Sequence, residues 1–280
     1  MIKRLLKIII SVHYLFFFIL KKKYYKISNR PLPVFRIVLL YHSVPSSHLK
    51  KFIKQIDYIK KTTIPIPIDY KEFPDIEAKY SIITFDDAFE STIKNAIPEL
   101  EKREVPSIIF IPSGFLGENP GWLNNSVHPD CNERVISISE LTTECYKFTK
   151  FGSHTVNHNK LAELNELDAY YEIAESKKII EKIINNEILY IAFPYGSYND
   201  KTIDLCKKAG YKHAYTVEPS NPYTSLNSYN IGRITVDPSD WRIEYYLKVM
   251  GAYSWLPYFS KYKKTLRVLF KHIIKTRVDK

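Results

Sequence analysis

The sequence predicts one α/β domain built on a largely parallel sheet or barrel, and three observations carry that expectation. Apolar β-type runs alternate with helical stretches through the body of the chain. Polar residues fall just beyond the ends of four of those runs. The 280 residues show no internal repeat and no low-complexity linker, and that length can bury a sizeable core.

The strands are expected over 36–41, 80–85, 107–111, 148–152, 189–193, 213–217 and 231–236, where β-branched and aromatic residues cluster. Between and after them, helices are expected over 49–61, 90–103, 139–147, 161–184, 201–209 and 240–249. Residues 112–137 break the alternation with Gly114, Gly117, Pro120, Gly121 and Pro129. A loop of that length in a compact domain is usually functional. Trp122 within it can either stack on a ligand ring or anchor the loop's own packing.

Composition narrows the class. With 45% hydrophobic and 14% aromatic residues the chain is neither disordered nor fibrous. Cys131, Cys145 and Cys206 are too few, and odd in number, for a disulfide framework. The formal net charge of +11 is unevenly placed. Residues 1–30 carry eight Lys/Arg and no acid, and residues 241–280 carry ten Lys/Arg against Glu244 and Asp279, so each end is +8. The middle keeps 23 basic against 28 acidic residues, or −5. A nucleic-acid groove through the body is therefore excluded, and no nucleic-acid partner is expected.

Each basic end has a membrane-directed pattern. Residues 8–20 are apolar and lie between Lys3, Arg4, Lys7 and Lys21-Lys22-Lys23. Thirteen helical residues reach about 20 Å, short of a roughly 30 Å hydrocarbon core. No small-residue cleavage pattern precedes the lysines, so an uncleaved short anchor or interfacial helix is expected. A buried core helix is the plainer alternative. At the other end Leu266, Leu269, Phe270, Ile273 and Ile274 form one face among Lys263, Lys264, Arg267, Lys271 and Lys275. That is a basic amphipathic helix. The expected organisation is a membrane-associating segment over 1–30, a barrel over 31–250 and this helix within 251–280, with an anionic membrane surface as partner.

The chemistry-bearing residues are His42 after IVLLY, Asp86 and Asp87 after SIITF, His154 after FGS, and Tyr195 after IAFP. Strand C-terminal ends converge on one rim in α/β barrels and open parallel sheets, so these side chains can share a pocket. His154 and His158 are four apart, and one helical turn would align their imidazoles. A carboxylate from another strand would complete a three-ligand hydrolytic metal site. The adjacent Asp86 and Asp87 can divide metal binding and proton abstraction between them.

Thr84-Phe85-Asp86-Asp87, Ser153-His154-Thr155-Val156-Asn157-His158 and Phe193-Pro194-Tyr195-Gly196 resemble the first three motifs of the NodB-like polysaccharide deacetylases, carbohydrate esterase family 4. The resemblance spans about residues 36–240. It implies a distorted (β/α) barrel that removes acetyl groups, usually from N-acetylated sugars. It further implies Asp86 as general base, Asp87, His154 and His158 as metal ligands, and the Tyr195 N–H as an oxyanion donor. Zn2+ is the default ion for that donor set, with Ni2+, Co2+ or Fe2+ compatible.

The chain departs from the pattern at three places. Ala88 stands where a glycine usually follows the Asp pair, so no positive φ is expected there. Ala192 replaces the arginine that orients the base, for which Arg233 is the substitute on a late strand. The late Leu-x-His motif is missing. Leu40-Tyr41-His42-Ser43-Val44, however, resembles the N-terminal segment of poly-N-acetylglucosamine deacetylases, which implies His42 as the acid. Asp237 reads as the N-cap of the last barrel helix, with Pro238 at its first position. The expected activity is N-deacetylation of N-acetylhexosamine units in an envelope polysaccharide or lipid-linked glycan, at the membrane of a bacterial envelope. An O-acetyl esterase or a catalytically silent carbohydrate-binding protein are the alternatives.

Overall fold

The structure is a computed structural model that describes residues 1–30, 34–70, 73–75, 77–124, 127–143, 146–222 and 229–259. The chain opens with a long helix, α1 (Ile2–Ile27). Next come β1 (Phe35–Tyr41), α2 (Leu49–Thr62), the two-residue β2 (Ile64–Pro65) and β3 (Lys79–Phe85). α3 (Ile97–Lys102), β4 (Ser107–Ile111), α4 (Ile138–Thr143) and β5 (Thr149–Ser153) follow. The body ends with α5 (Glu166–Ile184), β6 (Tyr190–Ala192), α6 (Asp200–Lys208), β7 (His213–Thr216), β8 (Ile231–Gly232), β9 (Ile234–Thr235) and α7 (Arg242–Val249).

Among the described residues these strands all pair in parallel, in the order β8-β7-β6-β5-β4-β3-β1-β9, with β2 beside β3. The two ends of this path, β8 and β9, are consecutive in sequence and separated by Arg233 alone. The sheet must therefore curl until its edges nearly meet, which makes a nearly closed, distorted (β/α) barrel. The single strand expected over 231–236 is instead two short strands on opposite edges of that seam. Gly232 is required there, because a Cβ would lie 2.3 Å from the Glu218 carbonyl oxygen and 2.5 Å from the Ser220 nitrogen.

Leu39, Tyr41, Ile83, Phe85, Ile109, Ile111, Ile191 and Phe193 lie in one buried cluster with apolar residues of the surrounding helices. Alternate residues Val38, Ile82, Ile108, Phe110, Ala192 and Tyr215 form a second buried cluster. The alternation is the period-two signature of strands buried on both faces.

Three expected helices differ in detail, the one over 90–103 containing a π-helical stretch (Thr92–Ala96) ahead of α3. The helix expected over 161–184 begins with a 3₁₀ turn (Leu161–Glu163), and α5 starts only after Asn165 caps it. The N-cap of α7 is Trp241, not Asp237. Asp237 instead closes a turn, its carboxylate accepting from the Ser239 N–H at 2.6 Å.

α1 is docked rather than detached. Arg4 pairs with Glu244 and Asp240 at the start of α7. Trp255 Nε1 donates to buried Ser11 Oγ at 2.9 Å, and Lys26 pairs with Glu77 ahead of β3. Leu6, Ile9, Phe16, Phe17, Ile19 and Leu20 on its other sides remain exposed. Beyond residue 259 the basic helix expected within 251–280 lies outside the described residues.

Candidate active site

The site is built where the ends of β1, β3, β5 and β6 meet. Asp86 and Asp87 leave β3 together, and the Asp86 N–H donates to the Tyr41 carbonyl at 3.0 Å, continuing the β1–β3 ladder. The chain then turns sharply: Asp87 has φ 68° and Ala88 φ 49°. The expectation of ordinary backbone at Ala88 is corrected here. The turn demands the left-handed region whatever the side chain, and an L-residue accommodates it at a cost. Thr155, His158 and Tyr195 also have positive φ, so five of the eight such non-glycine residues among the described ones lie at this site. Such clustering of backbone strain is typical of functional sites.

His154 and His158 converge without a helix. The segment between them is an irregular turn, with Thr155 at φ 67° and His158 at φ 57°, closed by the His158 N–H donating to Thr155 Oγ1 at 3.1 Å. A left-handed residue at each of these positions achieves what a helical turn was expected to do.

The donors meet closely. One ligand atom from each of Asp87, His154 and His158 lies within 4.8 Å of the others, and all three residues are buried. Asp87 Oδ1 is 3.2 Å from His158 Nε2 and 3.6 Å from His154 Nε2, yet it makes no aligned hydrogen bond. His154 Nδ1 sits 2.8 Å from the Ala192 carbonyl. A carbonyl can only accept, so Nδ1 carries the proton and Nε2 keeps its lone pair. Burial pushes the His154 imidazole down to about 4, against the pull of Asp86. Burial also acts to raise Asp87, but His158, with His42 and His154, holds its carboxyl down to about 2. An orphaned buried carboxylate oxygen beside two imidazole nitrogens suits a borderline divalent cation, and these residues fit one.

Asp86 has a different partner. Arg233 grips both its oxygens, at 2.6 and 2.7 Å. The guanidinium is fully buried, donates through Nε to the Thr216 carbonyl at 3.1 Å, and lies 5.3 Å from the Phe110 ring centre. Burial acts to raise the Asp86 carboxyl, but Arg233, then His154 and His42, outweigh it and hold the carboxyl below the usual range. Arg233 thus fixes both oxygens of Asp86.

His42 follows β1, half-buried, with its carbonyl accepting from Thr92 Oγ1 at 2.7 Å. It directly follows Tyr41, whose carbonyl accepts from the Asp86 N–H, which places it at the same rim. Tyr195 lies beyond β6, its ring 4.8 Å edge-on from His158. Trp122, from the long loop, stacks on His158 at 4.3 Å and 20° and also stacks near Phe89.

Sequence reasoning missed Glu172. This buried carboxylate accepts from four N–H groups of residues 156–159. The signal was present: Glu172 interrupts the α5 stripe of Ala169, Ile173, Ser176 and Ile180.

A nearly closed parallel barrel with paired aspartates and two histidines at its C-terminal rim defines a NodB-like deacetylase, a hydrolase class. The chain belongs to the polysaccharide deacetylase family, whose model matches residues 74–214. It is 32% identical over 215 residues to the poly-beta-1,6-N-acetyl-D-glucosamine N-deacetylase of Staphylococcus aureus (strain MSSA476). That alignment covers 72% of this chain and 66% of the relative. Among solved structures, the Streptococcus pyogenes deacetylase PplD, in complex with acetate, superposes with a TM-score of 0.63 at 20% identity, covering 78% of this chain and 99% of that one. IcaB from Ammonifex degensii gives 0.61 at 20% identity, over 78% and 98%. At such identity these two speak for the fold.

Proposed function

We propose that this chain is a metal-dependent N-deacetylase of N-acetylhexosamine units in an envelope polysaccharide or lipid-linked glycan. The observation that carries the reading is the division of the two aspartates. Asp87 faces the imidazoles of His154 and His158, while Asp86 is held by Arg233. The name of the staphylococcal relative supports the substrate class. A divalent ion on Asp87, His154 and His158, zinc in our reading, supplies Lewis acidity for water activation and for the acetyl carbonyl.

The chain's own residues do the rest. Asp86, ionised and aimed by Arg233, takes the proton of the attacking water. The Tyr195 N–H donates to the oxyanion, an interaction that can contribute about 3 kcal/mol. His42 gives its proton to the departing sugar amine, the step that distinguishes amide from ester hydrolysis. A cleft of about 520 Å³ beside His158 is lined by Trp122, Tyr195, Asn157, Asn159 and Lys160. Aromatic faces with amide groups suit a sugar ring.

The enzyme's address is part of the same proposal. No helix among the described residues is long and apolar enough to cross a membrane. α1 instead lies along the barrel wall, from α7 to the segment before β3, with its apolar side outward and lysines at both ends. That arrangement suits an interfacial helix on an anionic bilayer of a bacterial envelope.

Acetate release from polymeric and lipid-linked N-acetylhexosamine, with acetyl-xylan in parallel, tests the activity. Release from the amide substrates, lost in Asp86→Asn, is expected. Release from acetyl-xylan alone would make it an O-acetyl esterase, and release from none would leave a carbohydrate-binding protein.

A further inference from the structure

The turn carrying the second histidine has no regular structure to hold it, yet its position sets the spacing of the metal donors. On its inner side the backbone is secured by loop 112–137: the Ser113 N–H donates to the Thr155 carbonyl at 3.0 Å and the Gly114 N–H to the Val156 carbonyl at 2.9 Å. The approach is so close that a Cβ on Gly114 would lie 2.8 Å from the Val156 oxygen. This contact satisfies carbonyls only. The Val156 and Asn157 N–H groups of the same turn still need a buried acceptor.

Glu172 of α5 is that acceptor. Its Oε2 receives the Val156 N–H at 2.9 Å and the Asn157 N–H at 2.8 Å. Its Oε1 receives Asn157 Nδ2 at 2.7 Å and Asn159 Nδ2 at 3.0 Å. Four donors converge on one carboxylate that is only 3% exposed. The residues so held bracket His158, whose φ of 57° is unfavourable without such restraint. A charged acceptor makes each bond roughly twice as strong as a neutral one.

The geometry points to Glu172 as a positioning residue for metal binding: it fixes the turn over 156–159 and so holds His158 at its distance from Asp87 and His154. The inference rests on the metal-site reading above. Glu172 touches no reacting atom and acts through His158.

The isosteric Glu172→Gln is the test, because it preserves volume and one acceptor oxygen while turning a donor toward Asn157 and Asn159. Zn2+ affinity is read by competition with a chromogenic chelator, the Co2+-loaded visible spectrum reports donor geometry, and thermal unfolding of metal-free protein reports folding. Zn2+ binding is expected to weaken roughly 10- to 100-fold, as for other loosened ligand supports, with an altered Co2+ spectrum. Glu172→Gln combined with Asn157→Asp restores a donor–acceptor pair with its polarity reversed, and affinity should recover part of the way. Turnover at saturating Zn2+ should lie closer to wild type than turnover at limiting Zn2+. Wild-type affinity and spectrum in folded Glu172→Gln would overturn the proposal, even if its metal-free unfolding temperature falls. A double variant no tighter than the single one would also overturn it. Failure of the wild-type chain to bind Zn2+ or Co2+ at all would instead sink the metal-site reading itself.

Discussion

Arg233 and Asp86 are 147 residues apart and form a fully buried, two-pronged ion pair across the barrel mouth. The pairing links the residue at the barrel seam to the carboxylate that ends β3. Of the opposing charges around Asp86, Arg233 contributes most to holding the carboxyl below the usual range.

Arg233→Met should leave the Asp86 carboxyl buried without its cation, so burial is no longer outweighed and its pKa rises. The base then binds a proton at higher pH, and the acidic limb of kcat/KM moves upward. Stability should also fall, by about 3–5 kcal/mol, as for other broken buried pairs. A pH–rate profile and urea unfolding measure both effects, and an unshifted acidic limb would refute the orienting role.

Metal and base should separate by mutation. His154→Ala and Asp87→Ala should lose both the bound ion and activity. Asp86→Asn should keep the ion and lose roughly 10²- to 10⁴-fold in turnover. Bound metal at a thousandfold excess over Kd stabilises the fold by about 4 kcal/mol, so chelation should lower Tm in wild type and in Asp86→Asn but not in Asp87→Ala. Elemental analysis with calorimetry distinguishes these outcomes.

Gly232→Ala drives a methyl into the Glu218 and Ser220 backbone, neither of which is a flexible chain end. Overpacking at such a point costs about 3 kcal/mol, read as a lower urea midpoint at unchanged m-value. Arg233 is the next residue, so activity should fall even where the variant remains folded.

Burial pushes the Cys206 thiol up to about 12, leaving almost no thiolate at pH 8. Iodoacetamide should modify half-buried Cys131 in the native protein and reach Cys206 only after denaturation. Peptide mass mapping checks this; native labelling of Cys206 at the rate of a free thiol would contradict it.

The outward face of α1 should matter for address and not for chemistry. Replacing exposed Phe16 and Phe17 by serine should weaken partitioning onto anionic vesicles by about two to three orders of magnitude, each lost side chain removing about 2 kcal/mol of burial in the interface. Acetate release from a soluble oligomer should be unaffected. Unchanged flotation, or co-sedimentation with DNA instead, would remove the membrane proposal.

Much of the site was legible because strand periodicity and strand-end chemistry are both local. His42, Asp86, Asp87, His154 and Tyr195 were assigned to one rim from the runs that precede them, and the structure brings them there. The spacing of His154 and His158 was legible, but the turn between them was not: a helical i, i+4 pair and a turn with left-handed Thr155 and His158 look identical in sequence. Ala88 misled for the same reason, since its positive φ is imposed by neighbours and not by its own preference. Arg233 could be nominated from its strand, but the split into β8 and β9 is a long-range pairing that no local pattern encodes. Glu172 was passed over because a single acid in an amphipathic helix reads as solvated until its place on the apolar stripe is counted.

The seam also has a consequence for the order in which the enzyme becomes competent. Synthesis runs from the N-terminus, so Asp86, Asp87, His154 and His158 all leave the ribosome before Arg233. A nascent or truncated chain ending near residue 230 would lack both Arg233 and β9, leaving Asp86 without its buried partner and β1 as an open sheet edge. The same late residue that brings the edges together delivers the guanidinium.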